Sequence, residues 1–228
     1  MLKRFAQPIE AARRHGWLME PESKEILRMA GIEVPRFTWA RTVEEAVDFD
    51  EQIGYPVAAK VVSPAIVHKS DVGGVAINID NRNELRTFFQ KCSRLEKFAG
   101  MVVEEMAAGI ELIIGAKTDY QFGPVILLGI GGTGVEIYRD VAIRMAPLDS
   151  CDVRSMIGQL KGRRLLGGHR GARPVNRKKL ISLLLAFSRL FMEISEAVES
   201  VDLNPVLCNA ERCVVADARF MLEGGKGE

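Results

Sequence analysis

Apolar and polar positions along this chain change period repeatedly, between helical and strand-like spacing. Residues 1–20 read as a short leader helix or arm. Pro21-Glu-Ser-Lys-Glu25 opens a helix with the apolar stripe Ile26, Leu27 and Ala30, and Gly31 stops it. Val34 to Trp39 reads as a strand with a proline near its start. Thr42-Val-Glu-Glu45 has the form of a capping box and predicts a helix to about Ile53. Gly54-Tyr-Pro is a turn. Val57-Ala-Ala-Lys-Val-Val62 predicts a buried strand carrying one lysine. Val72 to Ile79 predicts a second, with alternation at Val75, Ile77 and Ile79, and Arg82 to Phe98 predicts a helix.

The second half continues in the same manner. Strands are expected at Gly100 to Met106, Glu111 to Lys117, Pro124 to Gly129 and Val141 to Ala146, and a long amphipathic helix at Leu180 to Val198. Ser200 to Leu207 and Cys213 to Arg219 predict an antiparallel hairpin around the turn Asn209-Ala-Glu-Arg212, and the tail Gly224-Gly-Lys-Gly is expected to fray. This mixture is an α+β pattern.

Composition narrows the class. A chain of 228 residues with 47% hydrophobic content can bury a sizeable core. No apolar run is long enough to span a bilayer, and the start lacks a secretory h-region. Cys92, Cys151, Cys208 and Cys213 have no Cys-x-x-Cys spacing and read as reduced thiols of a cytoplasmic protein. The net charge of +1 gives no general electrostatic reason to expect nucleic acid. Basic residues cluster from Lys161 to Arg173 and from Arg177 to Lys179. That pattern reads as a solvated loop and helix start, or as a contact with phosphate or a partner.

Several groups are candidates for chemistry. His68 lies in a short polar loop beside Gly73 and Gly74, where an exposed imidazole can accept and pass on a phosphoryl group. Lys60 stands inside an apolar strand, at a cost in free energy unless its charge is paired. A triphosphate would pair it; the competing reading is a lysine snorkelling from an edge strand. Gly73 and Gly74 let backbone N–H groups approach phosphate, or simply close a hairpin. Glu104, Glu105 and Met106 end a strand as a hinge able to hold adenine, with Glu111 on a ribose hydroxyl; otherwise they are a solvated strand end. Gly129-Ile-Gly-Gly-Thr-Gly134 fails the dinucleotide-binding spacing and reads as a flexible loop bearing Glu136, with Arg144 beyond it in reach of a phosphate. Asp202 and Asn204 share a strand face, with Asp217 on the next strand. Oxygen donors of this kind suit Mg²⁺, although Asn-Pro can merely start a turn and Asp217 merely cap a strand. His15 and His169 have no partner at metal-ligand spacing.

In this order, a strand lysine, a glycine loop, an acidic hinge and an Asn and Asp on a closing hairpin resemble the ATP-grasp family. The likeness is nearest to the beta subunit of ADP-forming acyl-CoA synthetases, the acetate–CoA ligases related to succinyl-CoA synthetase. It rests on Tyr55-Pro-Val-Ala-Ala-Lys60, Ser63-Pro-Ala-Ile-Val-His-Lys-Ser-Asp-Val-Gly-Gly-Val75, Glu105-Met106 with Gly109 and Glu111, Gln121-Phe-Gly-Pro124, Gly131-Gly132, Leu165-Leu166, Asp202-Leu-Asn-Pro-Val206 and Asp217-Ala-Arg219, spread over roughly residues 21–220. Thr133-Gly134 and Asn176 depart from the pattern without removing a nucleotide or metal ligand.

The resemblance implies an ATP-grasp fold of two α+β lobes with the nucleotide between them. The arm would be 1–20, the small lobe 21–101, the large lobe 102–221 and the tail 222–228. It implies that Lys60 binds nucleotide phosphates, where Gly73, Gly74 and Arg144 are expected from their own positions, that Glu104, Glu105 and Met106 hold adenine, and that Glu111 meets the ribose. Asn204 and Asp217 would bind Mg²⁺. His68 would be the phosphorylated histidine and Asp202 its neighbour during transfer. A separate CoA-binding alpha subunit would complete the enzyme, as an α₂β₂ assembly, with ATP or ADP as substrate and neither nucleic acid nor membrane as partner. Two competing readings are a stand-alone ATP-grasp carboxylate–amine ligase, which has no need of His68, and a non-catalytic nucleotide-binding module.

Overall fold

The computed structural model describes residues 3–132, 140–168 and 173–224, and its contacts divide the chain into two units. The smaller comprises Met19–Pro21 and Pro35–Ala107; the larger comprises Met1–Leu18, Glu22–Val34 and Ala108–Glu228. Residues 1–18 and 22–34, assigned in sequence to an arm and the small lobe, therefore count with the larger unit.

The smaller unit is built on a four-stranded antiparallel sheet. Its strands are β2 (Phe37–Ala40), β3 (Val57–Val62), β4 (Val75–Ile79) and β5 (Gly100–Glu105), in the order β2-β5-β3-β4. Helices α3 (Val43–Ile53) and α4 (Arg82–Cys92) supply Ala46, Val47, Leu85 and Phe89 to the apolar cluster with Val57, Ala59, Val61, Met101 and Val103. The expected cap of α3 forms: Thr42 Oγ1 accepts from the Glu45 N–H at 3.2 Å, and Glu45 reaches back to the Arg41 N–H at 2.6 Å. Helix α4 stops short of the expected Phe98. Beyond it Lys97 takes φ +48°, a left-handed conformation through which no helix continues.

The larger unit carries a seven-stranded sheet. It contains β1 (Trp17–Leu18), β6 (Ile110–Asp119), β7 (Gly123–Ile130), β8 (Val141–Met145), β9 (Val198–Cys208), β10 (Cys213–Val215) and β11 (Ala218–Leu222). The order is β1-β11-β9-β6-β7-β8, with β10 also paired to β9, and every pairing is antiparallel. The expected leader is no loose arm: α1 (Lys3–Ala12) buries Phe5, Ile9 and Ala12 in the core of this unit, one face of a 3.6-residue period. Helix α2 runs over Glu20–Met29, starting one residue before the expected proline. Helix α7 (Arg177–Ile194) buries Leu180, Leu183, Leu184, Phe187 and Phe191, and Val198 already belongs to β9. Two helices were not legible in the pattern: α5 (Ser150–Gln159) and the short α6 (Arg163–Leu166), the latter within the basic cluster.

Candidate functional site

Lys60 sits on β3, an interior strand of the smaller sheet, so the snorkelling edge lysine does not apply. The register pairs Lys60 with Val102 on β5. Glu104 stands two residues further along β5, on the same face and diagonally opposite. Lys60 Nζ lies 2.7 Å from Glu104 Oε1 and 2.9 Å from Glu20 Oε1. The second oxygen of Glu20 takes Lys69 Nζ at 2.6 Å. Lys60, Glu20 and Glu104 are all buried. Lys60 and Lys69 thus meet the carboxylates of Glu20 and Glu104 inside one unit, the pairing that buried charge requires. Sequence reasoning missed Glu20 and Lys69. The demand of a buried lysine for a carboxylate was a usable signal, but nothing local pointed to a residue forty positions away.

His68 is exposed in the loop between β3 and β4. Lys69, next to it, is the residue that reaches Glu20. The loop closes on its glycines. Gly73 takes φ +62°, its N–H donates to Ser70 O at 3.0 Å, and the Gly74 N–H donates to Lys69 O at 2.8 Å. A Cβ on Gly74 would stand 2.4 Å from Val61 Cγ1, so the strand below leaves room only for glycine. Both N–H groups expected to meet phosphate therefore hold the turn in this conformation. Arg36 pairs with Glu105 at 2.7 Å, and the Glu105 N–H donates to Arg36 O at 3.0 Å. The acidic strand end is thus tied to the start of β2. Met106 follows, half-buried, at the end of this unit.

In the larger unit Asp202 and Asn204 occupy one face of β9, as the two-residue spacing predicts. Asn204-Pro205 is no turn. It lies within β9, where the register to β6 shifts between Leu112 and Ile114. Proline lacks the N–H a regular ladder needs, and a bulge accommodates it. Beside the bulge, Asn204 N–H donates to Asp217 O at 3.2 Å and Ala216 N–H donates to Pro205 O at 3.0 Å. These bonds bring Asp217 to the Asp202–Asn204 face. Asp217 also accepts from the Ala218 N–H at 3.0 Å, the cap considered in the sequence. Burial pushes the Asp202 carboxyl up; Arg219, directly opposite in the register, opposes the shift, and Asp217 adds to it. Asp202 and Asn204 on one face of β9, with Asp217 joined to Asn204 through the backbone, offer the oxygen donors that suit a hard divalent cation. Among the described residues, no three His, Cys, Asp or Glu side chains form a metal cluster by themselves.

The remaining candidates are more scattered. Glu111, the second residue of β6, is exposed, and its carbonyl accepts from the Gly131 N–H at 2.7 Å. Arg144 on β8 is held by Ser155 on α5 at 2.9 Å and by Ile143 O at 2.7 Å. Arg154, Arg163, Arg164 and Arg177 line a cleft of about 710 Å³ within the larger unit. Cys208 and Cys213 face each other across the β9–β10 hairpin as free thiols. The loop residues Thr133, Gly134 and Glu136 and the histidine His169 lie outside the described residues.

Comparison with known proteins follows the same lines. The family described as the ATP-grasp domain matches residues 10–222. The beta subunit of acetate–CoA ligase (ADP-forming) I from Pyrococcus furiosus is 42% identical over 213 residues, covering 90% of this chain and 91% of its own. A Ca. Korarchaeum cryptofilum protein solved with coenzyme A superposes with a TM-score of 0.90 at 39% identity, covering 96% of this chain and 100% of that one. The dinucleotide-forming acetyl-coenzyme A synthetase 1 of the same organism, solved with coenzyme A and Mg-AMPPCP, has its phosphohistidine segment pointing towards the nucleotide-binding site. It matches with a TM-score of 0.85 at 38% identity, over 96% of this chain and 100% of that one.

Proposed function

The chain belongs to the ATP-grasp family, and from that premise we propose that it is the nucleotide-binding beta subunit of an ADP-forming acyl-CoA synthetase. It exchanges phosphate between a phosphohistidine and ADP or ATP within an acid–thiol ligase. The observation that carries the reading is the pairing of a buried lysine on an interior strand with an exposed histidine on the next loop. The first supplies fixed positive charge for phosphate oxygens, and the second supplies a nucleophile free to meet more than one partner.

In this reading the His68 imidazole attacks a phosphoryl group. The donor is the alpha subunit's phosphohistidine: an N–P bond to His68 forms as the donor's N–P bond breaks, and the electrons of that bond stay with the donor imidazole. A terminal oxygen of ADP then attacks the same phosphorus and the N–P bond breaks. Lys60 holds the phosphates of the nucleotide. Gly73 and Gly74 offer their N–H groups to phosphate only if the turn they close reopens. Glu104, expected with Glu105 and Met106 at the adenine, is buried on Lys60 at 2.7 Å instead and would act by holding the ammonium in place. Glu105 and Met106 serve the adenine, Glu111 the ribose, and Arg144 a phosphate. Asn204 and Asp217 would hold Mg²⁺, and Asp202, on the same face of β9 as Asn204, would serve the phosphoryl transfer. When bound, the ion neutralises charge on the transferring phosphoryl group.

The acyl-CoA half of the reaction belongs to a CoA-binding alpha subunit, assembled as α₂β₂. The nucleotide and coenzyme substrates fit a cytoplasmic setting. No helix among the described residues is long and apolar enough to cross a membrane.

The test is incubation with γ-labelled ATP and Mg²⁺, with and without a CoA-binding alpha subunit. Wild type should acquire acid-labile phosphate, and His68→Ala should acquire none. Equal labelling in both would end the relay role. Carboxylate–amine ligation by the chain alone, untouched by His68→Ala, would make it a stand-alone ligase instead.

A further inference from the structure

Glu20 belongs to none of the groups assigned above, yet it joins two of them. One of its oxygens takes Lys60 at 2.9 Å and the other takes Lys69 at 2.6 Å. Its side chain is 3% exposed, and the Lys69 ammonium, although carried by a surface loop, is only 15% exposed. A lysine on a loop next to an exposed histidine would ordinarily hold its charge in water. Here it is drawn inward on to a carboxylate that the phosphate-binding lysine also uses. The loop between β3 and β4 is thereby anchored at Lys69, one residue from His68, in addition to the turn closed by Gly73 and Gly74.

We propose that Glu20 is a positioning residue, a carboxylate latch that holds the unphosphorylated His68 loop down through Lys69 and lets go when Lys69 turns to the phosphoryl group on His68.

The charge balance argues for release. The Glu20 carboxylate already meets two cations, Lys60 at 2.9 Å and Lys69 at 2.6 Å. A phosphoryl group on His68 brings further negative charge beside Lys69 and competes with Glu20 for it. Glu20 keeps Lys60 when Lys69 leaves, so no carboxylate is abandoned in the interior without a cation. The same event frees the loop to carry its phosphate. The inference rests on the relay reading, because without phosphate on His68 nothing would draw Lys69 away.

Hydrogen exchange of the full chain tests it, read over residues 63–74 with residues 112–117 of β6 as a folding check. Glu20→Gln and Lys69→Met should each speed exchange in 63–74 about tenfold while leaving 112–117 unchanged. The double variant should be no faster than either single one, because both changes break one interaction. Wild type phosphorylated at His68 should exchange in 63–74 as fast as Glu20→Gln does. Unchanged exchange in both variants overturns the latch, and so do effects that multiply in the double variant, which a merely structural role would give. If Glu20→Gln disturbs 112–117 as well, Lys69→Met decides alone, since it leaves Glu20 paired with Lys60. The two readings separate cleanly. Variants that free the loop in a protein that takes no phosphate sink the relay, and with it the release, and keep only the anchoring of the loop by Glu20. A phosphorylated His68 on a loop indifferent to Glu20 does the reverse.

Discussion

Lys60 carries two burdens that mutation can separate. It is buried against Glu20 and Glu104, and in the proposed function it holds phosphate. Lys60→Met leaves two carboxylates in the interior facing a thioether. Breaking a buried pair from one side costs about 3–5 kcal/mol, because the remaining charge has lost its compensation. Glu20 keeps Lys69, while Glu104 loses its 2.7 Å contact with Lys60. Adding Glu104→Leu to Lys60→Met should therefore recover most of the lost Tm while nucleotide binding stays abolished, as read by calorimetric titration with Mg-ADP. Recovered binding in the double variant would remove Lys60 from the nucleotide site. At this scale the sequence was half legible. An apolar strand with one lysine announces that a partner is required. It does not say that the partners lie at positions 20 and 104, because pairing between elements is written in the register and not in local spacing.

Helix α5 shows what pattern reading loses at the scale of an element. Ser150–Gln159 buries only Val153, Met156 and Ile157, a stripe too thin to stand out from the polar residues around it. Its clearest signal was Asp149 with Asp152, a capping box with aspartate in place of glutamate. Asp149 accepts from the Cys151 N–H at 2.6 Å and the Asp152 N–H at 2.8 Å. Hydrogen bonds from the Asp152 and Cys151 backbones hold its carboxyl below the usual carboxylate range. The folded value is depressed, so the stabilisation is present above the ordinary Asp value and is lost as pH falls through the folded one. Asp149→Ala should lower the Tm at neutral pH. The gap to wild type should shrink as the solution is acidified below pH ~4. Asp149→Asn keeps an acceptor at the cap and should lose the pH dependence but little stability. A gap between Asp149→Ala and wild type that stays constant with pH would show that the carboxylate charge plays no part in the cap. The closing hairpin was the opposite case. Its alternation was strong enough to place Asp202 and Asn204 on one face, while the bulge at Pro205 that brings Asp217 to them depends on pairing with β6.

At the scale of the molecule, the proposed ligands are divided between the two units. Lys60 and His68 belong to the smaller, Asn204 and Asp217 to the larger. Motif order along the chain is what nominates both sets, because an ATP-grasp sequence keeps the same succession of chemical groups. The burial of Glu20 and Glu104 around Lys60 lay outside what motif order carries. A ligand that binds only the folded chain stabilises it by mass action, by about 2.7 kcal/mol at a hundred times its Kd. Mg-ADP should therefore raise the Tm of wild type, and EDTA should remove the part of the shift that depends on the cation. In Asp217→Asn, ADP alone should still shift the Tm but Mg²⁺ should add nothing, because one of the two proposed protein ligands has lost its charge. Asp202→Asn offers the contrast. The carboxyl of Asp202 is pushed up by burial, so the neutral amide should stand there without loss of stability while the phosphate exchange fails. An Asp217→Asn protein that responds to Mg²⁺ as wild type does would move the cation elsewhere, and with it the assignment of the hairpin.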